Sequence, residues 1–135
     1  MPLLRDSDYL SLQERGLTFE ESEAQRFFIF TGYLLPDAVY SIPSCDVLVV
    51  IPPNYNQDGN DMLWTYPFLQ RTNGVPIPAA TPPGGGDSRA WNGREFCRWS
   101  RHWTPPAKGV WRPGKDDIIS IYRRVDWALK NPDAQ

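Results

Sequence analysis

Residues 95–103 read EFCRWSRHW and gather Cys97, one of two cysteines, with Ser100 and His102, the only histidine of the chain. A thiol, a hydroxyl and an imidazole in one short stretch are the materials of nucleophilic chemistry. The thiol is partly ionised near neutral pH and strongly nucleophilic. The hydroxyl needs an adjacent base, because its own pKa is far too high. In an extended chain residues i and i+2 share a face, which puts Ser100 and His102 on one side. A working contact needs heavy atoms about 2.6–3.2 Å apart, which strand spacing alone does not guarantee. Plainer readings stand beside these. Cys97 can pack as a small hydrophobe, Ser100 can be a solvated or turn hydroxyl, and His102 can simply bond the backbone.

The rest of the composition narrows the chemistry. One histidine and two cysteines are too few for a typical structural zinc site. Cys45 and Cys97 could pair only if the fold joined them, so unpaired thiols in a reducing cytosol are expected. The Gly84-Gly85-Gly86 run lacks the Lys-Ser/Thr of a phosphate-cradling loop. A formal net charge of −2 without a basic cluster offers nothing to nucleic acid. No apolar run approaches the roughly 20 residues of a membrane span, and Met1–Asp6 has no basic stretch leading into an apolar one, so no signal peptide is expected. At 135 residues, 41% hydrophobic and 22% charged, the chain reads as one globular domain over 1–135. Its 14 prolines point to long ordered loops. Its 6 tryptophans fit either a packed aromatic core or an exposed interaction surface.

The elements that must position residues 97–102 follow from the pattern. Asp8–Arg15 reads as a short helix stopped by Gly16. Arg26–Thr31 and Asp46–Ile51 read as strands; the second is apolar on both faces and belongs in the middle of a sheet. Pro52-Pro53 ends it, Asn54–Asn60 is a loop, and Asp61–Tyr66 is a further strand with Asp61 and Trp64 in structural roles. Pro76–Asp87 is irregular, Trp91–Trp103 is aromatic and mixed, and Pro105-Pro106 and Pro113-Gly114 are breaks. Asp116 can cap a helix over about 117–130 whose Ile118, Ile121, Tyr122, Val125 and Leu129 form one apolar stripe. The sum is an α+β plan, an antiparallel meander with flanking N- and C-terminal helices.

The ordered set Leu35-Pro36, Asp46-Val47-Leu48, Pro52-Pro53-Asn54-Tyr55, Asp61-Met62-Leu63-Trp64, Trp99-Ser100-Arg101-His102 and Trp111-Arg112-Pro113-Gly114 resembles a bacterial branch of the ubiquitin-conjugating (UBC) enzyme superfamily, the prokaryotic family labelled E. The likeness runs from about Tyr9 to Leu129. It implies the UBC-like fold and acyl transfer. A ubiquitin-like modifier would be accepted from an activating enzyme that uses ATP, then passed to an amine; a deconjugating peptidase is the third implied partner. No metal or small cofactor is implied for this chain. Asn92-Gly93 echoes the Asn-Gly turn that precedes the nucleophilic cysteine in eukaryotic members, whereas their His-Pro-Asn has no counterpart, since no histidine precedes His102. In the bacterial branch the Trp-Ser-Arg-His stretch is the more characteristic feature. The resemblance therefore places Ser100, with His102, ahead of Cys97 as nucleophile. Arg101 can bind the modifier's tail or a nearby acid, against the commoner outcome of an exposed arginine, and Trp99, with Trp91, Trp103 and Trp111, reads as core and site wall. Two other readings remain open: a UBC-fold scaffold that binds without forming an ester, and an aromatic-rich interaction module.

Overall fold

The computed structural model describes residues 2–103 and 110–134. In chain order the elements are α1 (Asp6–Glu14), β1 (Phe19–Ser22), β2 (Phe27–Leu34), β3 (Ser44–Val50), β4 (Leu63–Tyr66), β5 (Arg89–Trp91), β6 (Arg94–Trp99) and α2 (Ile118–Lys130). The architecture is α+β, with one six-stranded antiparallel sheet ordered β1-β2-β3-β4-β6-β5. The expected meander runs from β1 to β4. The long segment after β4 then carries the chain past its neighbour, so β6 pairs with β4 and β5 forms the edge.

Strand β1 has no forecast in the sequence, because all four of its residues are half-buried and show no alternation. The mixed stretch from Trp91 resolves into a hairpin. Asn92 and Gly93 take φ of 53° and 77° between the paired Trp91 and Arg94. Positive φ at both loop positions is what a two-residue hairpin of the strand-matching hand needs, and Asn-Gly supplies it. The likeness to an Asn-Gly turn before a nucleophile is therefore a hairpin turn, and Cys97 lies inside the strand that follows. The Pro105-Pro106 break lies outside the described residues.

The sheet buries both faces, which explains the unbroken apolar run in β3. On one face Phe28, Phe30, Val47, Val49, Leu63 and Trp99 pack with Leu12 of α1 and Ile118, Ile121, Val125 and Leu129 of α2. The other carries Phe27, Ile29, Leu48, Trp64 and Phe96. Arginines roof that second face. The Arg89 guanidinium lies 4.6 Å over the Trp64 ring, and Arg94 lies 5.2 Å over Phe96 while bonding Asp46 at 2.8 Å and Glu20 at 2.6 Å. Guanidinium planes cover aromatic rings while keeping their donors for carboxylates, so they close a face that no helix covers among the described residues. Trp64, Trp99 and Trp103 are buried, and Trp127 is the exposed indole. Trp64, Trp99 and Trp103 therefore belong to the interior, and Trp91 and Trp111 pack half-buried against it.

Helix α2 is capped by Asp117, one residue later than expected. Its Oδ1 accepts from the N–H groups of Ile119 and Ser120 at 2.9 and 3.1 Å, and Asp116 instead takes Arg112 at 3.2 Å. Asp8 of α1, buried, joins three segments: its carboxylate accepts from Arg5 N–H at 2.9 Å, Tyr55 OH at 3.1 Å and Ile118 N–H at 3.1 Å. The loop between β3 and β4 is pinned further along. Trp111 Nε1 donates to Asn56 O at 2.9 Å, and Arg124 donates to Asn60 O at 2.8 Å. Gly59 is required for that docking, since a Cβ there would sit 2.2 Å from the Trp111 ring. The loop so held leads into Asp61.

Candidate active site

The stretch after β6 is held on both sides. Ser100 N–H donates to Ala79 O at 2.9 Å and Thr81 N–H to Arg98 O at 2.9 Å, so residues 79–81 run along one edge. On the other edge Met62 N–H donates to Arg101 O at 2.7 Å. Extended backbone alternates its side chains. Trp99, Arg101 and Trp103 turn inward with 0%, 2% and 9% exposure, while Ser100 and His102 turn outward.

That alternation completes a relay. Ser100 Oγ lies 3.1 Å from His102 Nε2, and His102 Nδ1 lies 3.0 Å from Asp61 Oδ2. A carboxylate only accepts, so Nδ1 carries the proton of the neutral ring and Nε2 is left to accept from the Ser100 hydroxyl. Asp61 is itself held, its Oδ1 accepting from Trp103 N–H at 3.0 Å. The His102 side chain is 56% exposed and that of Asp61 32%, so the relay opens to solvent. Hydroxyl, imidazole and carboxylate stand in the geometric order that a serine-type acyl-transfer centre uses.

Asp61 is the residue that sequence reasoning left among the structural ones. Its partner is 41 positions away, and the Asp61-Met62-Leu63-Trp64 stretch that belongs to the family resemblance does not by itself point to that partner. The signal that finds it is strand register: Leu63 pairs with Trp99, so the residues just before β4 must meet those just after β6.

The other candidates fall elsewhere. Cys97 stands three positions before Ser100, an odd separation in extended chain, and so points to the opposite face. It is 1% exposed, and burial, with Glu95 adding to it, pushes its thiol up. Cys45 is also buried, and both thiols are free. Trp99 and Arg101 are both buried, Trp99 among the core residues as one of its readings had it and Arg101 against the expectation of an exposed arginine. Alternation drives both inward. Arg101 lies 5.0 Å over the Trp99 ring and donates to the carbonyls of Pro78 (3.0 Å), Ser100 (3.0 Å) and Pro132 (2.9 Å). Burial pulls its guanidinium down from the usual arginine range. The role its position gives it is to tie the loop beside Ser100 to the chain end beyond α2. Among the described residues no group of three or more His, Cys, Asp or Glu could hold a metal ion.

Residues 4–132 match the family described as prokaryotic E2 family E. The chain belongs to that family. Membership of family E carries an E2-like role in ubiquitin-like conjugation, the role of a conjugating transferase that works with a ubiquitin-like modifier and an activating enzyme. The match takes in Asp61, Cys97, Ser100 and His102 alike. No curated protein and no solved structure matches the chain. Among the described residues no helix is long and apolar enough to cross a membrane.

Proposed function

We propose that this family E protein is an acyl carrier of UBC-like fold, one domain over residues 1–135, that holds its modifier as an oxyester on Ser100. The observation that carries this reading is the contrast between two nucleophiles. Ser100 Oγ is outward and 3.1 Å from a base oriented by Asp61, and the Cys97 sulfur is sealed. Ser100 Oγ attacks the activated C-terminal carbonyl of the modifier as His102 Nε2 takes the hydroxyl proton. The activating enzyme's leaving group takes that proton from His102 and departs as the tetrahedral intermediate collapses, which frees Nε2 again. An incoming amine then attacks the ester and loses a proton to His102, which returns it to Ser100 Oγ as the amide forms. Asp61 is a positioning residue, holding the ring in the tautomer that leaves Nε2 free. Such a pathway belongs in a reducing cytoplasm, where Cys45 and Cys97 stay as thiols.

The test is to mix the chain with activating enzyme, modifier and ATP and to characterise the adduct. An oxyester resists excess thiol and yields to hydroxylamine or strong base, whereas a thioester is lost to thiol. Ser100→Ala abolishes the adduct and Cys97→Ala leaves it. The reverse outcome moves the chemistry to Cys97.

One observation favours a second reading. The Ser100 N–H is committed to Ala79 O, so it cannot serve a developing oxyanion, and the His-Pro-Asn of eukaryotic members has no counterpart. A non-catalytic scaffold that binds the modifier or the activating enzyme fits that absence, and no covalent adduct in the same mixture identifies it.

A further inference from the structure

We infer that the Ser100–His102–Asp61 relay also hydrolyses esters, acting by itself as a slow esterase on small activated acyl esters and on its own acyl-enzyme. The inference rests on the reading of Ser100 as nucleophile and adds water as a second acceptor. Two observations and one general property of such relays carry it. The hydroxyl-to-imidazole contact of 3.1 Å and the imidazole-to-carboxylate contact of 3.0 Å are formed in the free chain, so no partner is needed to assemble them. The 56% exposure of His102 lets solvent reach the face that would activate it. Nothing in a relay of this kind distinguishes an amine from water, because Nε2 accepts a proton from either.

The reaction balances without any further reagent. Ser100 Oγ attacks the ester carbonyl, His102 Nε2 takes the hydroxyl proton, and the alcohol or phenol departs with that proton, or as its anion while His102 passes the proton to solvent. Water then attacks the acyl-serine, His102 takes one of its protons and returns it to Ser100 Oγ, and the carboxylic acid is released. Speed follows from the same geometry. A positioned base contributes about 10²–10⁴-fold. Losing a single oxyanion donor costs about 10²–10³-fold, and the Ser100 N–H is already occupied by Ala79 O. Hydrolysis is therefore real but slow, and the acyl-enzyme lives long enough to meet an amine.

The chain alone, with 4-nitrophenyl acetate, provides the test. A burst of nitrophenol close to one equivalent is expected, followed by slow turnover. Mass spectrometry after acid quench should place the acetyl group on the peptide containing Ser100. Ser100→Ala and His102→Ala should both fall to the rate of buffer. Because His102 is the only histidine, a burst that survives in Ser100→Ala would mean direct reaction of the imidazole and would overturn the inference, as would an acetyl group found only on lysine. The location of the acetyl group in the unaltered chain decides the matter even if a variant folds poorly. If Ser100 takes the modifier from its activating enzyme but never the acetyl group, the esterase falls and the carrier stands. If it takes neither, both fall.

Discussion

Asp61 Oδ2 accepts a hydrogen bond from His102 Nδ1 at 3.0 Å, although 41 residues separate the two in the chain. The contact exists because β4 and β6 pair in a register that brings Leu63 opposite Trp99. The loop before β4 and the segment after β6 then emerge side by side. One consequence is a sharp demand on residue 61. An asparagine there can offer an amide N–H to Nδ1, which moves the ring proton to Nε2 and deprives Ser100 of its acceptor. Asp61→Asn should slow ester formation with the modifier by on the order of 10²-fold while leaving binding of the charged activating enzyme intact. Single-turnover charging checks this. A rate equal to that of the unaltered chain would show that His102 does not depend on Asp61.

The two thiols should be silent in the folded chain. Burial pushes Cys45 up to about 12 and raises Cys97, and both are shielded from solvent. A chromogenic disulfide reagent near neutral pH should label neither until denaturant is added, and then both. Cys97→Ala should cost roughly 1 kcal/mol of packing and nothing in charging. Rapid labelling of Cys97 in the native protein would return it to contention as nucleophile.

Arg101 should matter for stability more than for any docking step. Its guanidinium supplies donors to the carbonyls of Pro78, Ser100 and Pro132. Arg101→Met keeps the apolar stem and leaves those three acceptors without donors. Each unpaired buried group costs about 1–3 kcal/mol, partly offset because a buried charge is also removed. A net loss of roughly 2–4 kcal/mol in urea unfolding is expected. Charging should weaken too, because Ser100 loses an anchor on its own carbonyl. Unchanged stability would show that the carbonyls find other donors.

Acid should open the roof over the second apolar face. Asp87 bonds Arg89, and Arg98 at 3.1 Å, and the arginines, Arg89 foremost, hold its carboxyl below the usual carboxylate range. A group lowered on folding contributes stability that is fully present above its unfolded pKa, about 3.9 for aspartate. That contribution is lost as pH falls through the lower, folded value. Asp87 O also accepts from Trp64 Nε1 at 2.8 Å. Tryptophan emission should therefore shift below about pH 4 in the unaltered chain, and this component should be missing from Asp87→Asn. Identical acid titrations for the two proteins would remove Asp87 from that role.

Much of the fold was legible in the order of residues, and the limits of that legibility are physical. The Asp46–Ile51 run announced a strand buried on both faces because a continuous apolar run leaves no side for water, and β3 lies inside the sheet with a core on each face. The stripe of Ile118, Ile121, Val125 and Leu129 announced α2 because helical spacing is a property of the local chain. β1 was silent for the opposite reason. Its half-buried residues carry no period, and pairing with β2 rather than local preference makes it a strand.

The site divides along the same line. That Ser100 and His102 share a face, and that Cys97 must lie on the other, is contained in the two-residue period of extended chain and needs no coordinates. Which of those faces meets water is decided by what packs against β6. Trp99 goes into the core beneath α2, and that choice buries Cys97 and Arg101 and leaves the hydroxyl and the imidazole outside. The carboxylate that completes the relay is a matter of tertiary structure alone. Asp61 meets His102 through the register of two strands distant in sequence, and no local pattern along a chain records which of its distant segments will lie side by side.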